Sequence, residues 1–98
     1  MSLDLFAIRR ELHQVPELAF QEFETKAILL KYLKTLPNIT IIEFLNSPGI
    51  LVEYSQGNGL YRLFRADMDA LPVKETTGCD FMSRNDGIMH SCGHDVHM

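Results

Sequence analysis

Apolar residues recur at helical spacing near the start of the chain. Leu5, Ile8 and Leu12 are three and four positions apart, so they fall on one face of an amphipathic helix. Ser2 precedes this pattern as the expected N-cap, because its hydroxyl can accept from an unpaired backbone N–H of the first turn. Pro16 disfavours helical geometry in the residue before it, and we therefore predict that this helix ends two or three residues before the proline.

A second helix is predicted over residues 22–35. It should end ahead of Pro37, because proline cannot continue a helix. Its apolar stripe is expected to face the core of the protein. The stripe, which starts just ahead of the helix, consists of Phe20, Phe23, Ala27, Leu30 and Leu33.

Short runs rich in β-branched and aromatic residues follow, and they predict strands over residues 39–45, 50–54 and 60–66. Segments rich in Asn, Gly, Ser and Pro separate these runs and predict turns. From Asp67 onward a loop is expected, apart from a short strand near Phe81 and Met82. The predicted fold is therefore α/β: two helices, then a three-stranded partial sheet and a functional loop.

Composition and charge narrow the classes of function. The 98 residues are 46% hydrophobic, which is typical of one globular domain. The net charge of −4 comes without a basic block, so nucleic acid is not expected as a partner. No apolar run approaches the ~18–20 residues that would cross a membrane, and the first residues lack the order of a signal peptide. We therefore expect a cytoplasmic protein with no membrane partner.

The segment from His90 to Met98 holds three histidines, one cysteine and one aspartate. Cys92 and His94 are two positions apart, so in an extended segment they point to the same side. Thiolate sulfur and imidazole nitrogen are natural ligands of zinc, and imidazole also binds manganese, cobalt and nickel. Cys92 and His94 are therefore the candidate metal ligands, and His90 and His97 are further metal-competent residues.

Several alternatives remain open around this segment. Asp95 either begins a helix as an N-terminal carboxylate or orients a ligand histidine. The cysteine and the histidines would be ordinary structural residues if no metal binds. A disulfide between Cys79 and Cys92 is a further alternative, although thiols are more usual in the cytoplasm.

Two aspartates form a second candidate group. Asp67 and Asp69 follow the third predicted strand, and strand ends of open α/β sheets are where ligand sites form. Either carboxylate could accept a hydrogen bond from a ligand histidine and so fix its tautomer. The alternative is a solvated turn ahead of Pro72. His13, at the end of the first predicted helix, is interpreted mainly as a histidine favoured by the helix dipole, with a place in the site as the alternative.

Four segments together resemble the N-acyl-L-amino acid amidohydrolases. This branch of the aminoacylase and carboxypeptidase metallopeptidases holds hippurate hydrolase, N-acetyldiaminopimelate deacetylase and the plant auxin-conjugate hydrolases. The resemblance covers essentially the whole chain and is most specific in the last two segments. The segments, in order, are residues 9–18, Pro48–Val52, Arg65–Pro72 and Met89–Met98.

The resemblance implies roles for particular residues. Cys92 and His94 match two ligands of a centre with two divalent metal ions (zinc, manganese, cobalt or nickel), with the thiolate as a candidate bridge. Asp69 matches the catalytic-site aspartate that orients a metal ligand, and Asp67 is the second catalytic candidate. In such enzymes the metals activate a water and polarise the amide carbonyl, and an N-acyl amino acid is hydrolysed to a carboxylic acid and a free amino acid.

The resemblance also implies that residues 1–98 are an incomplete, N-terminal part of the catalytic domain of a metal-dependent hydrolase. The general base and the later metal ligands of the family lie in segments that follow the Cys-Gly-His motif. We therefore expect the 98 residues alone not to hydrolyse N-acyl amino acids, and the resemblance allows a homodimer. The alternative interpretations are a small metal-binding module without catalysis and an interaction domain whose histidines are incidental.

Overall fold

The computed structural model describes residues 3–54 and 62–98. Two helices come first and an antiparallel hairpin follows, and residues 62–93, which include several turns, lead to a short third helix. Among the described residues, no helix is long and apolar enough to cross a membrane. The elements are α1 (Leu5–Gln14), α2 (Phe23–Leu33), β1 (Ile39–Glu43), β2 (Ile50–Tyr54) and α3 (His94–His97).

Helix α1 ends at Gln14, as the position of Pro16 predicts. Its N-cap is Asp4, not Ser2, since the Asp4 carboxylate accepts a hydrogen bond from the backbone N–H of Ala7 at 3.1 Å. The correction follows from where the helix begins, because a capping side chain must stand directly before the first helical residue. Ser2 lies outside the described residues.

Helix α2 depends on a carboxylate that precedes it in the chain. Its N-cap residue makes no side-chain capping bond. Instead Glu17 accepts from the backbone N–H groups of Glu24 and Thr25, at 3.1 and 2.6 Å. A negative charge at this end also suits the helix dipole. Thr25 is fully buried as a result, and this contact fixes the rotation of the first turn.

That rotation overturns the prediction for the apolar stripe. Phe20 and Phe23 are 84% and 53% exposed, although the periodicity predicts that both lie in the core. Successive helical residues are about 100° apart, so a buried Thr25 turns Phe23 away by about 200°. Leu30 and Leu33 are partly buried, whereas Ala27 is exposed.

The sheet has two strands in the described residues, not three. β1 pairs antiparallel with β2, and Ile41 lies opposite Val52. Residues 60–61 of the predicted third strand lie outside the described residues, and residues 62–66 are not in a strand. Leu63 and Phe64 line a groove together with residues of α2 and β2. Strand propensity therefore does not suffice here, because a strand also needs the backbone groups of a neighbour.

The long segment between β2 and α3 is held against the helices by backbone hydrogen bonds. The Ala70 N–H donates to the Glu17 carbonyl at 2.7 Å, and the Arg84 N–H donates to the Gln14 carbonyl at 2.8 Å. An isolated antiparallel bridge joins Leu71 to Met89 through two bonds of 3.0 Å. This bridge brings the aspartate motif next to the Cys-Gly-His segment.

A strand near Phe81 and Met82 is not formed, and this prediction is wrong. Residues 80–81 form a turn, so the chain reverses where the strand is expected. The pairing occurs instead at Met89 with Leu71. Local propensity identifies residues that suit a strand but not which backbone will face them.

The buried apolar core of the described residues is small. Leu12 and Ala70 are its buried hydrophobic residues. Leu45, Leu63 and Phe64 are between 86% and 92% exposed, so large apolar side chains lie at the surface instead of in the core. Polar interactions therefore carry an unusual share of the packing around the site.

The capping role of Glu17 is testable. Glu17→Ala should lower the free energy of unfolding by about 1–2 kcal/mol, because two N–H groups of α2 lose their acceptor. Glu17→Gln keeps an acceptor oxygen and should cost about half as much or less. Urea unfolding followed by circular dichroism measures both. Equal stability of the Ala variant and the original chain would contradict the assignment.

Candidate active site

The Cys-Gly-His segment turns sharply into α3. Gly93 has φ of 98°, a left-handed conformation that is strained for any residue with a Cβ. Its carbonyl accepts from the N–H groups of Val96 and His97, at 3.1 and 3.2 Å. His94 is thus the first residue of the helix, and Cys92 stands just ahead of the turn with an exposed free thiol.

His94 contacts both aspartates of the second motif. Its Nδ1 lies 3.0 Å from Asp69 Oδ1 and 3.1 Å from the Asp69 carbonyl oxygen. Because both partners are acceptors, Nδ1 is the donor, and in the neutral ring the lone pair is then on Nε2. Asp67 Oδ2 is 3.8 Å from that Nε2, and Asp67 also accepts a 2.8 Å bond from Arg65. The imidazole is therefore oriented as a metal-binding histidine usually is.

The donor chemistry fits a divalent metal, but the set is partial. One thiol and one imidazole nitrogen suit zinc and the later first-row metals. In residues 3–54 and 62–98, no group of three or more His, Cys, Asp and Glu side chains converges on a common point. Since zinc ordinarily takes at least three protein ligands, the two donors among the described residues would supply only part of the ligand set of a metal centre.

A separate buried cluster lies beneath α3, and His13 is at its centre. His13 Nδ1 is 2.7 Å from Asp95 Oδ2, and Nε2 is 3.0 and 3.1 Å from the two carboxylate oxygens of Glu75. The three residues are at most 7% exposed. Both ring nitrogens of His13 therefore face carboxylate oxygens, and an ionised carboxylate only accepts hydrogen bonds. His13 thus lies in the last turn of α1 as expected, but it binds two carboxylates, which the dipole interpretation does not include.

Arg9 adds a positive charge to this cluster. Its Nε is 2.9 Å from Asp95 Oδ2, although the N–H is not aligned for a hydrogen bond. Two basic side chains, Arg9 and His13, therefore face two carboxylates, Asp95 and Glu75. A buried carboxylate with a basic partner avoids the large cost of an isolated buried ion. We call these four residues the buried quartet, in which Arg9 lies at the edge with its side chain 35% exposed.

Glu75 is the member of the quartet that the sequence does not indicate. Burial alone would raise the pKa of this carboxyl, but hydrogen bonds from Thr77, the Ser83 N–H and His13, together with the charge of His13, outweigh burial and lower the pKa to about 2. The Ser83 N–H donates at 2.8 Å. Glu75 stands 62 positions from His13, so no local motif or spacing links the two residues.

His90 lies beside the quartet but, unlike His13, makes no hydrogen bond through its ring to the described residues. Its side chain is 3% exposed, and neither ring nitrogen has a hydrogen-bond partner among the described residues. Burial lowers the pKa of His90, and the charge of Asp95 only partly opposes this effect. The ring is therefore neutral near pH 7, with its centroid 6.4 Å from that of His13.

Sequence reasoning also missed a second buried carboxylate, that of Glu22, on which the charge of Asp69 acts. Glu22 is 8% exposed. Burial raises the pKa of Glu22, and the charges of Asp69 and Glu17 add to this, while the Gln21 N–H bond opposes it. A glutamate at the start of a helix is ordinary, so the sequence offers no signal for this position.

The depressed pKa of Glu75 predicts an acid-sensitive fold. In the unfolded chain this carboxyl has its ordinary pKa of 4.5, and in the folded chain it has a pKa of about 2. The stabilisation is therefore complete above pH 4.5 and is lost as the pH falls from 4.5 towards 2. Glu75→Gln should flatten this part of the stability profile, measured by urea unfolding at a series of pH values. Parallel profiles for the two proteins would contradict the prediction.

Comparison with known proteins finds similarity in the part of the chain that holds the candidate site. The model of the family described as "Peptidase family M20/M25/M40" matches residues 63–98. The chain is 50% identical to the N-acetyldiaminopimelate deacetylase of Lacticaseibacillus casei, over 97% of this chain and 26% of that protein. It is 47% identical to the N-acetyldiaminopimelate deacetylase of Bacillus cytotoxicus, over 92% of this chain and 24% of that protein.

Solved structures agree with these matches. The YXEP protein of Bacillus subtilis, described as a dinuclear metal binding peptidase from the M20 family, superposes with a TM-score of 0.85 and 42% identity, over 95% of this chain and 26% of that chain. The chain thus spans about a quarter of the length of the relatives it matches. The α/β fold class and the resemblance to metal-dependent hydrolases are confirmed. The chain is thus similar to peptidase family M20/M25/M40, whose model matches the part that carries both aspartates, Cys92 and His94.

Proposed function

We propose that this chain supplies part of the two-metal centre of an amidohydrolase that cleaves N-acyl amino acids. The observation that carries the proposal is the pairing of His94 with Asp69, in which Nδ1 lies 3.0 Å from the carboxylate and Nε2 is the nitrogen left for a metal. Metal-binding histidines are typically oriented in this way by a carboxylate. Cys92, two residues earlier and exposed, is the proposed second ligand.

Each of the four residues has a proposed role. His94 binds through Nε2 and Cys92 through its thiolate, while Asp69 fixes the tautomer of His94 and raises the basicity of its free nitrogen. Asp67, 3.8 Å from Nε2, adds negative charge where a cation would be held. Two divalent ions, when bound, would supply Lewis acidity towards a water and the scissile amide carbonyl.

The substrate class is proposed from the relatives. Proteins 45–50% identical to this chain bear the name N-acetyldiaminopimelate deacetylase, which favours an N-acetylated amino acid among the N-acyl amino acids. Hydrolysis adds water across the amide and releases a carboxylic acid and a free amine. Zinc, manganese, cobalt or nickel each suit a thiolate and imidazole pair. A cytoplasmic location and a homodimer are parts of the same proposal.

Metal binding by the chain itself is the first test. Cobalt titration followed by absorbance should give a sulfur-to-cobalt charge-transfer band, because a thiolate ligand is proposed. Cys92→Ser should abolish the band, and His94→Ala should weaken binding roughly 10-fold or more. His97→Ala is the matched control, since this exposed histidine in the same helix is not a proposed ligand. A loss that follows His97 and spares Cys92 would contradict the assignment.

Catalysis is tested in a chimera. The aligned segment of the Lacticaseibacillus casei deacetylase is replaced by residues 1–98, and release of acetate from N-acetyldiaminopimelate is measured. Activity should be retained within roughly 10-fold of the parent, and the double variant Cys92→Ser with His94→Ala should lose roughly 100-fold or more. A folded chimera with full metal content and no activity would refute the proposed function, and would leave a non-catalytic metal-binding module as the better interpretation.

A further inference from the structure

We propose that Asp95 is a positioning residue for His94, and that the buried quartet sets the rotation of α3 and thereby the direction of the His94 ring. The inference rests on the proposed function in so far as His94 is a metal ligand. The claim about the ring itself concerns the metal-free chain. Its structural basis is that His94 and Asp95 are neighbours in the first turn of a four-residue helix.

Helix α3 has too few bonds of its own to fix its orientation. Its turn is closed by three backbone hydrogen bonds, from Val96 and His97 to Gly93 and from Met98 to His94. An isolated helix of this length is unstable in water, because fixing the backbone of the first turn costs more free energy than the hydrogen bonds of one turn contribute. The orientation of α3 must therefore come from the groups that hold it.

Two side chains hold α3 from different directions. His94 and Asp95 project about 100° apart around the helix axis. Asp95 points to His13 of α1, at 2.7 Å, and His94 points to Asp69, at 3.0 Å. Any rotation of α3 that turns His94 away from Asp69 also separates Asp95 from His13. Two contacts at this angle fix the rotation, whereas either contact alone would act as a pivot.

The His13 end of this arrangement is itself fixed. Glu75 holds the other ring nitrogen of His13 from the opposite side. Separation of Asp95 from His13 would leave a buried charge without its partner, which is strongly unfavourable. The exposed contact of His94 with Asp69 is more easily broken, because the side chains are 25% and 33% exposed. The buried pair therefore dictates the geometry of the exposed pair.

A variant of Glu75 is the control for a variant of Asp95, because a role in stability alone would not distinguish the two residues. Asp95 and Glu75 each bind one nitrogen of the same buried imidazole ring, but only Asp95 belongs to α3. Asp95→Asn and Glu75→Gln both remove one negative charge from the quartet and keep the side-chain shape. If the quartet only stabilises the fold, the two variants should disturb His94 in proportion to their loss of stability.

The experiment compares the ring ¹⁵N signals of His94 in the metal-free chain, at alkaline pH where exposed imidazoles are neutral. In the original chain His94 should be the Nδ1–H tautomer. Asp95→Asn should convert it to a mixture with at least one third of the other tautomer. Glu75→Gln should leave the tautomer unchanged, and urea unfolding of both variants shows whether their losses of stability are comparable. An unchanged tautomer in Asp95→Asn, or equal changes in both variants, would overturn the proposal.

A milder variant keeps the test decisive if Asp95→Asn does not fold. Arg9→Gln removes the second partner of Asp95, is made at a side chain that is 35% exposed, and leaves the contact with His13 in place. It should move the His94 signals in the same direction by a smaller amount, and no movement would count against the proposal.

Cobalt titration of the same proteins separates this inference from the proposed function. Asp95→Asn should weaken cobalt binding at least 10-fold and Glu75→Gln less than 3-fold. A tautomer change in Asp95→Asn, without any cobalt binding by the original chain, would support the positioning role and refute only the ligand role of His94. Cobalt binding that falls equally in both variants would overturn the positioning role.

Discussion

The buried imidazole ring of His13 joins three parts of the chain that make few other contacts with one another. It lies at the end of α1, binds Asp95 of α3 through Nδ1 and binds Glu75 of the intervening segment through Nε2. If one charged member of such a set is removed, its buried partner is left unpaired, which is strongly unfavourable, so the contacts of the set depend on one another. The position of the candidate metal ligand therefore depends on a charge network that does not itself contact the proposed metal.

This dependence is stronger because the apolar core is small. Leu12, one of the two buried hydrophobic residues of the described chain, lies next to His13, and Ala70 lies next to Asp69. Large apolar side chains such as Leu63 and Phe64 stay exposed. Proteins that match the chain are about four times as long. Within the described residues, hydrogen bonds and ion pairs thus set the geometry that a larger core would otherwise set.

The site has two layers with different exposure and different chemistry. The lower layer is the buried quartet, where two basic side chains face two carboxylates and the pKa of Glu75 is held at about 2. The upper layer contains His94, Asp69, Asp67 and the exposed thiol of Cys92. His90, buried and neutral, lies beside the quartet. A rigid lower layer under partly exposed ligands is the arrangement that a metal site requires, because ligand direction must be set before the metal arrives.

The sequence by itself determined the helices, the hairpin and the candidate ligands. The bounds of β2 and the end of α1 follow from local patterns, since strand propensity and the proline restriction act over a few residues. The Cys-Gly-His segment and the paired aspartates were identified from residue chemistry and spacing. Their roles in metal binding and catalysis remain predictions, although the structure brings Asp69 to His94.

The tertiary structure alone decided the rest. Glu75 became a partner of His13 across 62 positions, and Phe23 became exposed because Glu17 fixes the rotation of α2. Residues 62–66 have strand propensity but do not join the sheet. In each case the outcome depends on which distant group supplies a hydrogen bond or a charge, and a local pattern carries no information about that distant group.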